Sequence, residues 1–125
     1  MADGSRVLLV ARDDAARVAG TVQLDLATRA NGLHRAEVVR LMVHRSARRR
    51  GIGRALMLAV QDEAVRRGRT TLHLDTRQGD ESERLYRSLG WRLAGLIPEW
   101  ARSADGTLHT TAFYYLLSGA PKDRA

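Results

Sequence analysis

Residues 48–55 read RRRGIGRA and stand directly ahead of a stretch with helical periodicity. Arg48, Arg49, Arg50 and Arg54 carry charge that attracts anions. Gly51 and Gly53 let the backbone approach an anion closely and adopt a positive φ. At the start of a helix several backbone N–H groups lack partners and the dipole is positive, so such a segment can hold a phosphate. It lacks GxxxxGK[ST], which removes a nucleoside-triphosphate loop, and it falls short of GxGxxG. From these residues alone, a solvated basic loop with turn glycines explains the segment equally well.

Three further side chains stand out by their setting. Glu37 and Asp75 are carboxylates in otherwise apolar strands, costly there unless paired or used. Glu37 has Arg35 and Arg40 close in sequence as ion-pair partners, and Asp75 has a following turn that it could cap. Tyr86 falls beside Leu85 and Leu89 on a helix face, which by periodicity alone is a packing position. His34, His44, His73 and His109 are scattered, and there is no cysteine, so no metal site is expected. A GxSxG elbow is absent. Trp91, Trp100, Tyr114 and Tyr115 read as packing residues or pocket walls.

The elements that must position these residues alternate in period. Strands are expected at 6–11, 18–27 and 34–43, with a turn at RDDAAR and a loop at TRANG. Ile52, Ala55, Leu56, Ala59, Val60 and Ala64 recur at three-and-four spacing, giving an amphipathic helix over 51–67 stopped by Gly68. TTLHLDT at 70–76 is a strand with Leu72 and Leu74 on one face and His73 and Asp75 on the other. Asp80 and Glu83 fit a capping pair for a second helix that ends at Gly90. Strands at 91–97 and 109–117 come next, joined by a loop with the turn ADGT. The strand–helix–strand unit over 34–76 is a crossover that joins parallel strands. With the hairpins around it, the fold class is α/β (α+β), a mixed sheet with two helices. RRRGIGRA lies at the carboxyl end of a parallel strand, where such sheets bind ligands.

Length and charge bound the function. The chain has 125 residues, which suits a single domain over 1–125 with an ordered core of about 6–117 and a frayed tail at 118–125. Its apolar runs are too short to cross a bilayer and MADGSRV lacks a signal-peptide pattern, so a cytoplasmic protein is expected. The formal charge is +7, carried almost wholly by arginine, with Lys122 the single lysine. Such a surface favours an anionic partner: nucleic acid, a membrane surface or a phosphorylated cofactor.

Arg48-x-x-Gly51-x-Gly53, after a strand ending LMVHR and opening an amphipathic helix, resembles the coenzyme A loop of the GNAT acetyltransferase superfamily. ERLYRSLGWRLAG at 83–95 resembles the later segment of that family, a helix with a tyrosine followed by Leu-Gly-aromatic. The similarity spans roughly residues 6–117. LDTRQGDESERLYRSLGW, followed by LIPEWARSADGTLHTTAFYY, is similar to the tabtoxin-resistance-type branch, with Ser82 in place of the usual alanine and Trp100 where a tyrosine is frequent. The resemblance implies a mostly antiparallel sheet with one parallel strand pair splayed for coenzyme A. It implies an N-acetyltransferase that uses acetyl-CoA and no metal, acting by direct attack of an amine in a ternary complex. The backbone of Leu41, Met42 and Val43 would pair with the pantetheine, and Arg48, Arg49, Arg50, Gly51, Ile52, Gly53, Arg54 and Ala55 would form the pyrophosphate loop. Tyr86 would donate a proton to the departing thiolate, with Glu37 and Asp75 as candidate bases and acceptor contacts.

The superfamily usually opens with a strand and two helices that wall off the acceptor. With the first strand at Arg6, that unit is expected to be missing. The acceptor is expected to be a small, amino-acid-like or antimetabolite amine. A protein amine, coenzyme binding without turnover, and a basic nucleic-acid-binding module are the competing readings. The last needs arginines on one face with stacking aromatics, whereas these arginines scatter over every element. Apolar surface left open on the acceptor side would favour a homodimer.

Overall fold

The computed structural model describes residues 5–48 and 50–118; Arg49 of the basic loop and residues 119–125 of the expected tail lie outside them. Among the described residues six strands and two α-helices follow in the order β1 (Arg6–Arg12), β2 (Val18–Leu26), β3 (Arg35–Val43), α1 (Ile52–Arg66), β4 (Thr71–Arg77), α2 (Ser82–Ser88), β5 (Arg92–Arg102) and β6 (Leu108–Leu117). The strands run in the order β1-β2-β3-β4-β6-β5, a mixed and mostly antiparallel sheet. The described residues form two compact units, one within 5–72 together with 117–118 and the other from 73–116.

In the first unit β1, β2 and β3 form an antiparallel meander, and α1 packs across it. Alternation in β2 buries Val22, Leu24 and Leu26, facing Val38 and Ala36 of β3. From α1 come Leu56, Met57, Val60 and Ala64. Val22, Leu24, Met57, Val60 and Leu72 are fully enclosed, each worth about 1.5–3 kcal/mol of burial. Leu56, Val60 and Ala64 of the expected stripe are buried, whereas Ala55 and Ala59 are exposed and Met57 joins the face instead. Alanine counts as apolar in a periodicity reading but has little side chain to bury, so the larger methionine sets the face. After α1 the amides of Thr70 and Thr71 both donate to the His34 carbonyl. That starts β4 beside the start of β3, the parallel arrangement expected of the crossover.

A bulge breaks β3. Thr21 pairs with Met42 and Gln23 with Val39, so two steps along β2 face three along β3. Arg40, in the extra stretch, has φ of 58°, an uncommon conformation for a residue with a Cβ. An added residue reverses the faces of the remaining strand. Ala36 and Val38 point at α1 before the bulge; afterwards Val43, paired with Gly20, takes that face and Met42 turns outward, 61% exposed.

In the second unit α2 packs with β6 through Tyr86 and Tyr114, whose ring centroids are 6.1 Å apart. Leu74, Trp91, Thr111 and Ala112 are also buried. β5 runs five residues past its expected end at Ile97, through Pro98 and on to Arg102. Proline lacks the N–H that a central strand needs, but β5 is at the sheet edge, where that donor is dispensable. The pairing with β6 shifts between Ile97 and Ala101, and Glu99 has φ of 57°. Trp100 meets Phe113 edge-on at 5.3 Å while staying 56% exposed.

Gly20 makes the approach of α1 to the sheet possible. A Cβ there would lie 2.9 Å from the Met42 carbonyl oxygen, 3.0 Å from Leu56 and 3.2 Å from Ile52. Gly20→Ala should therefore lower the thermal midpoint by an amount equivalent to about 1–3 kcal/mol, the cost of overpacking. An unchanged midpoint would show that the first turn of α1 moves away freely.

Candidate functional site

The basic loop is built between β3 and α1, wholly inside the first unit. Past the bulge, Leu41 and Val43 are half-buried and Met42 is exposed. His44 then closes a short 3-10 turn over Arg45–Ala47: its Nδ1 accepts the Ser46 amide at 3.2 Å and lies 2.9 Å from the Ser46 hydroxyl. The Ala47 amide donates to the His44 carbonyl, and Ala47 is buried. This ordering role of His44 escaped the sequence reading, although a polar side chain two residues before a serine is a local turn signal.

Gly51 caps α1 with φ of 76° and ψ of 11°, contributing no side chain. Its carbonyl accepts the Ala55 amide at 3.0 Å, and a Cβ placed on it would meet nothing within 4 Å. The space beside Gly51 is therefore open among the described residues. Helix geometry gives the amides of Ile52 and Gly53 no acceptor within α1. No acidic residue occupies the first turn, while Arg48, Arg50 and Arg54 are exposed. Positive dipole, outward amides and guanidinium groups all act in the same sense, toward an anion.

Glu37 lies in the same unit on β3. Register sets it directly opposite Asp25, which in turn faces Arg6. Arg6 donates to Asp25 at 2.9 Å and to Gln23 at 3.2 Å. The guanidinium offsets the repulsion that two facing carboxylates would otherwise bring. Glu37 is half-buried, on the sheet face opposite α1.

Asp75 and Tyr86 belong to the second unit. Asp75 is exposed near the end of β4. Asp80, rather than Asp75, lies just ahead of α2, one residue before the N-cap Glu81, and accepts the Ser82 amide at 3.0 Å. Tyr86 is 6% exposed. Burial pushes its hydroxyl above the ordinary phenol value, a hydrogen bond with Ser82 opposes that, and the charges of Asp80 and Asp75 add to the rise. The structure thus brings Asp75 within electrostatic reach of Tyr86. A raised pKa keeps the phenol protonated at neutral pH, the state a proton donor needs.

The second unit holds one group that pattern reading treated only as a cap. Glu83 is 7% exposed. One carboxylate oxygen accepts the Gly79 amide at 2.6 Å. The other accepts the Tyr114 hydroxyl at 2.5 Å and faces Arg87 at 3.5 Å. Glu83 and Tyr114 are 31 positions apart, so no local spacing could have joined them. Among the described residues no group of three His, Asp or Glu side chains is placed to hold a metal. No helix among them is long and apolar enough to cross a membrane.

Comparison with known proteins gives the geometry a setting. A family model described as "Acetyltransferase (GNAT) family" matches residues 1–91. A crystal structure provisionally assigned as a phosphinothricin N-acetyltransferase superposes with a TM-score of 0.85 at 24% identity, over 94% of this chain and 74% of that one. A ribosomal-protein-alanine N-acetyltransferase from Brucella melitensis gives 0.84 at 25% identity, over 94% and 71%. A protein of Salmonella typhimurium solved with acetyl-CoA gives 0.80 at 24%, over 91% and 67%.

Glu83 also ties stability to pH. The Tyr114 hydrogen bond holds its carboxyl below the ordinary 4.5; burial opposes this, and the Gly79 amide and Arg87 reinforce it. A carboxyl more acidic in the folded state contributes stability that is full above its unfolded value and is lost as pH falls through the folded value. Glu83→Gln should therefore lower the melting midpoint near neutrality, by the equivalent of about 1–3 kcal/mol. The gap to the wild type should close as the pH drops below about 4.5. Melts showing a constant gap down to about pH 3 would contradict this linkage.

Proposed function

The chain belongs to the acetyltransferase (GNAT) family, and from that premise we propose that it moves the acetyl group of acetyl-CoA to the primary amine of a small, amino-acid-like molecule. The observation that carries the donor half is the start of α1: a left-handed glycine, outward amides, exposed arginines and no acid in the first turn. These groups suit a pyrophosphate, with Arg48 through Ala55 as the loop and Leu41, Met42 and Val43 as the strand that pairs with pantetheine. Hydrogen bonds to charged groups contribute about 1.5–3 kcal/mol each.

The chemistry is set by what the acyl transfer needs. The amine must be neutral, so a proton leaves its ammonium form for a carboxylate, directly or through water; Asp75 and Glu37 are the candidates. Nitrogen then attacks the thioester carbonyl, the C–N bond forms, and the C–S bond breaks as the tetrahedral intermediate collapses. The thiolate takes the proton of the Tyr86 hydroxyl, and the proton that the attacking nitrogen sheds passes through solvent to restore the phenol, leaving an amide and the free thiol. Burial keeps the phenol protonated at rest and makes it a weaker acid, so its proton moves only as negative charge develops on the leaving sulfur.

The likeness of LDTRQGDESERLYRSLGW and LIPEWARSADGTLHTTAFYY to the tabtoxin-resistance-type branch supports an antimetabolite or amino acid as acceptor. The Brucella neighbour, at 25% identity, supports a second reading in which the amine is a protein N-terminus. An acceptor panel of phosphinothricin and an alanine-terminated peptide separates the two. A cytoplasmic homodimer completes the proposal, with the exposed Leu93, Leu96, Ile97 and Trp100 of β5 as the apolar surface available for it.

Acetyl-CoA at about a hundred times its Kd should stabilise the protein by about 2.7 kcal/mol, read as a higher melting midpoint. Gly53→Glu puts a negative side chain in the anion cradle and should abolish that rise while the unliganded protein still melts cooperatively. A full rise in the variant would remove the loop as the donor site. Tyr86→Phe should lower kcat by about 10²-fold or more with the KM for acetyl-CoA nearly unchanged. Equal turnover in the two proteins would exclude Tyr86 as the acid.

A further inference from the structure

We propose that Glu83 is a positioning residue for acetyl transfer, setting the place of Tyr86 through the side chain of Tyr114; this rests on the reading of Tyr86 as the proton donor. Helix α2 has seven residues, too few to be stable alone, so its placement is decided by what it buries. It buries two side chains, Glu83 and Tyr86, three positions apart and so on neighbouring turns of one face. A buried carboxylate is a costly choice at such a position, and an apolar residue of similar volume would serve stability as well or better. What the carboxylate adds is direction.

Three bonds converge on it. The Gly79 amide, 2.6 Å away, ties the carboxylate to the turn before the helix. The Tyr114 hydroxyl, 2.5 Å away, ties it to β6. Arg87, one turn along α2, reaches both the carboxylate at 3.5 Å and the Tyr114 oxygen at 3.3 Å. Tyr114 is 1% exposed, and its ring is tilted 57° to that of Tyr86 at 6.1 Å. The other ring against Tyr86 is Trp91, at 6.3 Å and 53°. Tilted aromatic contacts are directional, so fixing the Tyr114 hydroxyl also fixes the surface against which Tyr86 rests. Glutamine keeps one acceptor oxygen where the carboxylate has two, so its NH2 group must face either the Gly79 amide or the Tyr114 hydroxyl; one of these bonds is lost and α2 can roll. A displacement of about 1 Å in a reacting group is enough to cost up to about 10²-fold in rate.

The test measures thiol release from acetyl-CoA with phosphinothricin or the alanine-terminated peptide as acceptor, at neutral pH and at a temperature where every variant is folded. Glu83→Gln should lower kcat about tenfold or more and leave the KM for acetyl-CoA unchanged. Tyr114→Phe keeps the ring, removes only the hydroxyl, and should give a similar loss; the double variant should be no worse than either single one. Introduced into Tyr86→Phe, Glu83→Gln should change kcat no further. A second readout needs no acceptor: in protein carrying ¹³C-labelled tyrosine rings, the Tyr86 signals should shift in both Glu83→Gln and Tyr114→Phe. If Tyr86→Phe is impaired while Glu83→Gln keeps full kcat, the positioning role is overturned and Tyr86 stands as the acid. A further loss on adding Glu83→Gln to Tyr86→Phe also overturns it, since Glu83 then acts elsewhere. If Tyr86→Phe itself keeps full turnover, the acid assignment falls and this proposal falls with it.

Discussion

An α-helix cannot satisfy the amides of its own first turn, and the rest of the first unit is arranged around that deficit at α1. A polar N-cap or an early carboxylate is the usual remedy. Here Gly51 supplies no side chain and the first turn has no acid, so the deficit stays directed outward among exposed arginines. Holding the turn there needs support from behind. Gly20 lets Ile52 and Leu56 close on the sheet, and His44 with Ser46 orders the chain that leads in.

The bulge in β3 serves the same end by a different route. A regular strand would carry one set of faces from Arg35 to Val43. The extra residue near Arg40 breaks that parity, so the strand is core-forming at Ala36 and Val38 and presents Met42 outward at its end. Arg40 and Glu99 both hold left-handed backbone without being glycine, and both lie where strand pairing slips. Local strain of this kind persists only where surrounding pairing over-determines it.

In the second unit the organising group is a charge rather than an absence of one. Glu83 is buried yet bonded to an amide, a phenol and a guanidinium, which satisfies the rule that a buried carboxylate must be paired. Tyr114 and Trp91 enclose Tyr86 in an aromatic cluster, and the enclosure is what raises the pKa of that phenol. Packing and acid–base character are here one effect: the same burial that holds the ring also disfavours its anion.

The order of elements, the crossover helix, the glycine that opens α1 and the alternation in β4 could all be read from the chain, because each is written in residues a few positions apart: Gly51 beside Gly53, the three-and-four spacing along α1, Leu72 and Leu74 against His73 and Asp75. The extension of β5 through Pro98 could not, since whether proline ends a strand depends on whether that strand lies at an edge. Nor could the Arg40 bulge, which exists only as a mismatch between β2 and β3, or the Met57 face of α1, which the sheet beneath it selects. Glu83 shows the division most clearly. As a helix-start residue it was legible from Asp80 and its spacing; as the partner of Tyr114 it was not, because a hydrogen bond between residues 31 positions apart is decided by tertiary packing alone.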